Sequence, residues 1–87
     1  MRTPEEERQQ ARRHLGECLA VARARARLSQ AAAAEAINVR KATLSGWETG
    51  AREPMAVDLQ RLADLYGLTL DQLTGRASLP PPERKDT

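Results

Sequence analysis

Two short helical patterns lie back to back within residues 28–54, and the turn between them is too short for anything but a sharp reversal. Ser29 opens the first pattern with the side-chain oxygen that a helix N-cap requires. In the second pattern, Leu44 and Trp47 stand three residues apart, which places them on one helical face. Asn38 lies between the patterns, and asparagine tolerates the left-handed backbone that ends a helix. The stretch therefore predicts two helices that cross at a tight turn.

The spacing within this unit meets the steric requirements of two crossed helices. With Gln30 as the first position, the fifth is Ala34, which must be small because the second helix crosses there at close range. The fifteenth and eighteenth positions are Leu44 and Trp47, which must be apolar because they face the first helix. Two helices crossed in this way form a helix-turn-helix, the unit that places its second helix in the major groove of DNA.

A set of residues within and around this unit carries a resemblance to known proteins. Within the unit they are Leu28-Ser29-Gln30, Ala34-Glu35, Val39, Thr43-Leu44-Ser45, Trp47-Glu48, Gly50 and Arg52-Glu53-Pro54. Outside it they are Leu15-Gly16, Leu19, Arg23, Leu62-Ala63 and Gly67-Leu68-Thr69-Leu70-Asp71-Gln72-Leu73. Together they resemble the phage-repressor and Cro-like helix-turn-helix regulators, also called XRE-type. The resemblance implies an all-α, compact five-helix, lambda-repressor-like DNA-binding domain.

The chain divides into three segments around this domain. Residues 3–6 (TPEE) combine an N-cap, a proline at the first helical position and a capping box, which predicts a long first helix that runs to about Arg27. Its polar first part, residues 1–14, is expected to form a solvated helical extension. Residues 15–75 form the helix-turn-helix domain. Residues 76–87 contain three consecutive prolines and no periodicity, which predicts a flexible Pro-rich tail.

The distribution of charge favours the same region as a nucleic-acid interface. The net charge is only +2, so the chain is not a polybasic tail protein. Residues 1–52 carry ten Lys or Arg against six Asp or Glu, whereas residues 53–87 carry four against six. The basic part contains the helix-turn-helix, as a phosphate-binding face requires.

Base contacts are expected from the outer face of the second helix of this unit, close to its N-terminus. The residues at those positions are Arg40, Lys41, Ala42, Ser45 and Gly46. Arginine and lysine donate hydrogen bonds to guanine O6 and N7, and a methyl group such as that of Ala42 contacts thymine. Gly46 costs about 1 kcal/mol inside a helix. It either permits close approach to the groove or contacts nothing.

Three further residues are expected near the DNA backbone. The resemblance implies that Gln30 approaches the backbone and braces the recognition helix. Thr43 is expected to contact a phosphate, and Arg52 is expected to reach a phosphate or the flanking minor groove. Glu48 would repel phosphate, so we expect it to bond a backbone group or an arginine such as Arg52. The cations expected to supply phosphate or groove contacts are Arg23, Arg25, Arg27, Arg40, Lys41 and Arg52.

The sequence contains no pattern for catalysis or metal binding. Ser29 and Ser45 have no base partner, and there is no glycine-rich phosphate loop. His14 has no second histidine and is expected to have no cysteine near it. Cys18 is the single cysteine, which excludes an internal disulfide and favours a buried thiol that packs as a small apolar group. We therefore expect no enzyme activity, no cofactor and no metal.

These observations predict a sequence-specific, DNA-binding transcriptional regulator that acts as a repressor and binds a pseudo-palindromic operator as a homodimer. Leu65, Leu73 and Leu79, or the N-terminal extension, are candidates for the dimer contact. The absence of a long apolar run and of a signal peptide predicts a cytoplasmic protein without membrane contact.

Two alternatives have the same fold. One is an antitoxin that binds its operator and also a toxin protein. The other is a protein-interaction adaptor without DNA binding, against which Arg40 and Lys41 argue because an adaptor does not need two cations at the base-reading position.

Overall fold

Five helices follow one another along residues 1–81, the part of the chain that this computed structural model describes. They are α1 (Pro4–Arg25), α2 (Gln30–Ala36), α3 (Lys41–Thr49), α4 (Ala56–Tyr66) and α5 (Leu70–Leu73). No strand occurs among these residues. The prediction of an all-α, five-helix domain is confirmed. The end of the predicted tail, residues 82–87, lies outside the described residues.

Side-chain caps define where three of the helices begin. At the start of α1, the Thr3 hydroxyl oxygen accepts a hydrogen bond from the Glu6 N–H at 3.1 Å, and the Glu6 carboxylate accepts one from the Thr3 N–H at 3.1 Å. The Ser29 hydroxyl oxygen accepts from the Ala32 N–H at 3.0 Å at the start of α2. Thr69 forms a second capping box ahead of α5. Each cap satisfies N–H groups that have no partner within their helix.

Left-handed residues set the ends of the helices. Asn38, between α2 and α3, has a φ of 59°, as the sequence predicts. Arg27 also has a φ of 59°, which is unusual for a side chain of this size. A left-handed residue cannot continue a right-handed helix. The expectation that α1 runs to about Arg27 is therefore corrected: the helix ends at Arg25.

All five helices contribute to the core, and its largest fully buried side chains come from four of them. These side chains are Leu19, Leu44, Leu62 and Leu73. Trp47 and Tyr66 add the only two aromatic rings of the chain, and both are buried. Ala34 is also buried, which agrees with its expected place at the crossing of α2 and α3. Because so much of the remaining core is alanine, the few large side chains supply most of the buried apolar surface.

Gly16 allows α1 and α3 to approach each other closely. A Cβ atom on Gly16 would lie 2.4 Å from the backbone oxygen of Glu48 and 2.6 Å from that of Trp47. These are backbone atoms at the C-terminal part of α3, so they cannot move aside without a shift of the whole helix. The absence of a side chain at Gly16 therefore allows α3 to lie this close to α1.

We expect Gly16→Ala to destabilise the domain by about 1–3 kcal/mol, because the added methyl group overlaps the α3 backbone. The sign is diagnostic, since alanine at an unhindered helical site would instead stabilise by about 1 kcal/mol. Urea unfolding followed by circular dichroism measures the difference. Gly67→Ala is the control: a Cβ there has no atom within 4 Å, so only its left-handed φ of 70° opposes the substitution. A Gly16→Ala variant as stable as the parent would contradict the close approach.

Both flanking segments touch the domain. The first eleven residues are exposed, but further along α1 the Arg12 Nε donates to the Gly50 carbonyl oxygen at 3.2 Å. A Cβ on Gly50 would lie 2.9 Å from the Cα of Arg13, so the end of the extension packs on the end of α3. In the C-terminal segment, Pro80 accepts a hydrogen bond from the Arg25 Nη2 at 2.7 Å. The described part of that segment therefore lies against α1.

Candidate nucleic-acid interface

Helix α3 has one buried face and one open face. Leu44 and Trp47 lie on the buried face, with exposed fractions of 0% and 5%. This confirms their assignment to the core. Successive residues are rotated by about 100° around a helix, so the side opposite these two is fixed by spacing. The outer face consists of four small residues, each exposed or half-buried: Ala42, Ser45, Gly46 and Thr49.

Two cations stand at the N-terminus of α3. Arg40 is the residue before the helix, with φ −74° and ψ 146°, and its side chain makes no capping hydrogen bond. Lys41 is the first helical residue, and both side chains are exposed. The N-terminus of a helix also carries partial positive charge from its unpaired N–H groups. This end of α3 therefore attracts anions, and it adjoins the outer face.

An ion pair between α1 and α3 holds α3 in place against the rest of the domain. The Arg23 Nε donates to one Glu48 carboxylate oxygen at 2.7 Å, and its Nη2 donates to the other at 3.0 Å. The side chains are 19% and 5% exposed. The Arg23 Nη1 also donates to the Leu28 carbonyl oxygen at 2.9 Å, which holds the α1–α2 turn. Hydrogen bonding to Glu48 raises the pKa of Arg23 above its ordinary value, because the carboxylate stabilises the charged guanidinium.

This pair bears on two expectations. Glu48 binds an arginine, as expected, but the partner is Arg23 and not Arg52, because Glu48 lies on the side of α3 that faces α1. Arg23 is correspondingly removed from the cations expected to contact phosphate, since its guanidinium is occupied inside the fold.

Gln30 joins the same network from α2. Its Nε2 donates to the Glu48 carboxylate at 2.9 Å, so the three helices α1, α2 and α3 share one carboxylate. Gln30 is half-buried and stands at the first position of α2. The bond provides the bracing of the recognition helix that the family resemblance implies.

Thr43 is half-buried on the flank of α3 and not on its outer face.

Arg52 and Gly46 lie in direct contact. The Arg52 backbone N–H donates to the Gly46 carbonyl oxygen at 3.0 Å, and this bond folds the loop after α3 back onto the helix. A Cβ on Gly46 would lie 3.0 Å from the Arg52 Cδ. The space left by the glycine is therefore occupied by the methylene stem of Arg52, a role within the protein that the sequence does not predict.

The family comparison agrees with this geometry. A family model described as a helix-turn-helix domain matches residues 14–76, which spans all of the interface described above. The chain belongs to this helix-turn-helix family. The family consists of XRE-like DNA-binding domains, so the predicted resemblance is confirmed, and the chain is a DNA-binding regulator in general terms. Comparisons with curated proteins and with solved structures gave no match.

Within this helix-turn-helix domain, sequence reasoning missed Thr49. It is exposed on the outer face of α3, and its hydroxyl donates to the Gly46 carbonyl oxygen at 3.2 Å. Its position four residues after Ser45 is the signal that identifies it, because residues four apart share a helical face. Base contacts are expected near the N-terminus of α3, whereas Thr49 is the last residue of that helix.

The expectation that His14 has no cysteine near it is wrong. His14 and Cys18 are four residues apart on α1, and the Nε2 and Sγ atoms lie 3.9 Å apart. Cys18 is half-buried. Its burial is the main cause that raises the pKa of the thiol, and the negative charge of Glu17 is the second. Residues 1–81 contain no group of three acidic, histidine or cysteine side chains placed to hold a metal ion.

None of the helices in the described part of this helix-turn-helix protein combines the length and the apolar content needed to cross a bilayer.

Proposed function

We propose that this protein is a sequence-specific transcriptional repressor of the cytoplasm that binds double-stranded DNA through α3. The observation that carries the proposal is the open outer face of α3 with the exposed Arg40 and Lys41 at its N-terminal edge. Cations at that edge suit both the phosphates and guanine. The hydrogen bonds that join Arg23 and Gln30 to Glu48 support the proposal, because a helix that reads bases must keep a fixed orientation.

A homodimer on a pseudo-palindromic operator is part of this proposal. One α3 reads one half-site. Two-fold symmetry places the α3 of the second protomer about one turn of DNA away, at roughly 34–36 Å, where it reads the second half-site. Repression needs only occupation of the operator, so a DNA-binding domain is sufficient for it.

One candidate for the dimer contact is excluded. Leu73 is fully buried in the core and cannot face a partner, whereas Leu65 and Leu79 are half-buried and remain candidates. Exposed apolar side chains suited to a partner include Met55, Val57 and Leu70.

A comparison of Lys41→Ala with Thr43→Ala tests whether α3 reads sequence. We expect Lys41→Ala to lose about 1–3 kcal/mol of binding free energy on the cognate duplex, because a cation that donates to a base edge is removed. Binding to random DNA should change little. Thr43→Ala should weaken binding to every sequence by a similar, smaller factor, because a phosphate contact carries no base information.

The probe is the duplex that the parent protein selects most strongly from a random pool, together with its single-base variants. Gln60→Ala, an exposed and uncharged change on α4 outside the helix-turn-helix unit, is the control and should bind as the parent does. Equal losses on every duplex for Lys41→Ala would show that this residue only grips the backbone. Failure of the parent to enrich any sequence would refute the proposed function itself.

A further inference from the structure

The outer face of α3 has no long side chain at its centre. Ala42 and Gly46 carry no hydrogen-bonding group on their side chains, and Ser45 is short. The Thr49 hydroxyl already donates to the Gly46 carbonyl oxygen. Specific readout of a base pair requires donors or acceptors that reach the base edge. The helix therefore lacks, among its own residues, a long donor beyond Lys41 at its edge.

The loop after α3 brings such a donor to this face. The Arg52 N–H binds the Gly46 carbonyl oxygen at 3.0 Å, which fixes the backbone of Arg52 beside the helix. The arginine stem occupies the space into which a side chain at position 46 would point. The Cδ, Cγ and Cβ atoms of Arg52 lie 3.0, 3.1 and 3.4 Å from the position that a Cβ on Gly46 would take. The stem of Arg52 thus crosses the outer face at Gly46.

The guanidinium of Arg52 is free to act on a ligand. Arg52 is exposed, and across residues 1–81 no carboxylate lies within ion-pair distance of it. The contrast is Arg23, whose guanidinium is held by Glu48 and by the Leu28 carbonyl oxygen. Only Arg52 therefore combines a long, uncommitted donor with a fixed position over the centre of the outer face.

We propose that Arg52 reads a guanine in the major groove, and that Gly46 is the positioning residue that lets it do so. Arginine binds guanine O6 and N7 with two parallel hydrogen bonds, and this geometry tolerates little displacement. A Cβ at position 46 would push the arginine stem outward by a few tenths of an ångström. The inference rests on the proposed function, since it requires that α3 enters the groove, and it replaces the expected phosphate or minor-groove contact of Arg52 by a base contact.

The test compares sequence selection by five proteins: the parent, Gly46→Ala, Arg52→Ala, Arg52→Lys and the double variant with Gly46→Ala and Arg52→Ala. Each is used to select bound duplexes from a random pool. We expect the parent to prefer guanine at one position by roughly 5- to 150-fold, the range for one bidentate pair. Arg52→Ala and Gly46→Ala should both lose that preference at the same position, and Arg52→Lys should keep only part of it. The double variant should select like Arg52→Ala alone.

Gly46→Ala separates positioning from stability. Alanine favours helix over glycine, so the thermal midpoint should stay unchanged or rise while the base preference is lost. A variant that only damaged the fold would lower both the thermal midpoint and the base preference. Arg61→Ala is the matched control, because Arg61 is an exposed arginine on α4, outside the α3 face, and its loss should leave the selected sequence unchanged.

Each contrary result has a distinct meaning. If Arg52→Ala weakens binding to all duplexes equally and selects the parent sequence, Arg52 grips the backbone and the inference is overturned. If Arg52→Ala loses the preference but Gly46→Ala keeps it, the positioning role of Gly46 is overturned. If the parent selects no sequence, the proposed function fails and this inference fails with it.

Discussion

Replacing Trp47 by alanine is expected to lower the free energy of unfolding by about 3–5 kcal/mol. Trp47 is 5% exposed and belongs to the cluster that also contains Leu44. The other members of the cluster are mainly leucine and alanine, so removal of the indole takes away a large share of the buried apolar surface and leaves a cavity, whose cost adds to that of the lost burial. Small domains have a total stability of only about 5–15 kcal/mol, so a substantial fraction of the variant should be unfolded.

Circular dichroism during urea unfolding is the suitable measurement, because the substitution removes the only tryptophan. Val21→Ala is the control: it also shortens an apolar side chain, but Val21 is 51% exposed, so its unfolding midpoint should hardly change. A Trp47→Ala variant that kept its midpoint and lost only DNA affinity would place the indole on the interface and refute the assignment of the faces of α3.

Arg23→Ala is expected to cost about 3 kcal/mol of stability and to weaken DNA binding as well. The substitution leaves the 5% exposed Glu48 carboxylate without a counter-charge, and a buried charge without a partner is strongly unfavourable. It also removes the bond to Leu28 that holds the α1–α2 turn. Since the same carboxylate binds Gln30, α2 and α3 should both lose their fixed orientation.

Two further variants distinguish this ion pair from ordinary surface charge. Arg25→Ala removes an exposed arginine two residues away and should cost less than about 1 kcal/mol. The double variant Arg23→Met with Glu48→Met should be more stable than Arg23→Ala, because it leaves no buried charge unpaired. Thermal unfolding of all variants measures the ranking. If Arg23→Ala and Arg25→Ala had equal effects, the pair would contribute nothing beyond surface charge.

The local features of this fold were predictable because they depend on neighbours in the sequence. Ser29 caps α2, and Asn38 adopts the left-handed turn, as their chemistry indicates. The buried face of α3 follows from the spacing of Leu44 and Trp47 alone. The end of α1 was placed two residues too late, since the left-handed backbone of Arg27 contradicts the preference of an arginine.

The contacts between distant residues were not predictable in the same way. Arg23 and Glu48 are 25 positions apart, and their pairing depends on how α1 crosses α3, which Gly16 determines. Periodicity placed Gly46 on the outer face of α3. Arg52 fills the space beside Gly46 because a backbone hydrogen bond holds the following loop against α3. No pattern of residue types in the sequence predicts the course of that loop.

The shared carboxylate of Glu48 has a consequence for the DNA that this domain would bind. A recognition helix fastened to both of its neighbours cannot tilt to suit a poorly fitting site. The duplex must then bend or twist to complete the contacts, and the elastic cost of doing so varies with the base steps involved. On the operator of the proposed dimer, we therefore expect base composition between the two half-sites to affect affinity through the stiffness of the duplex.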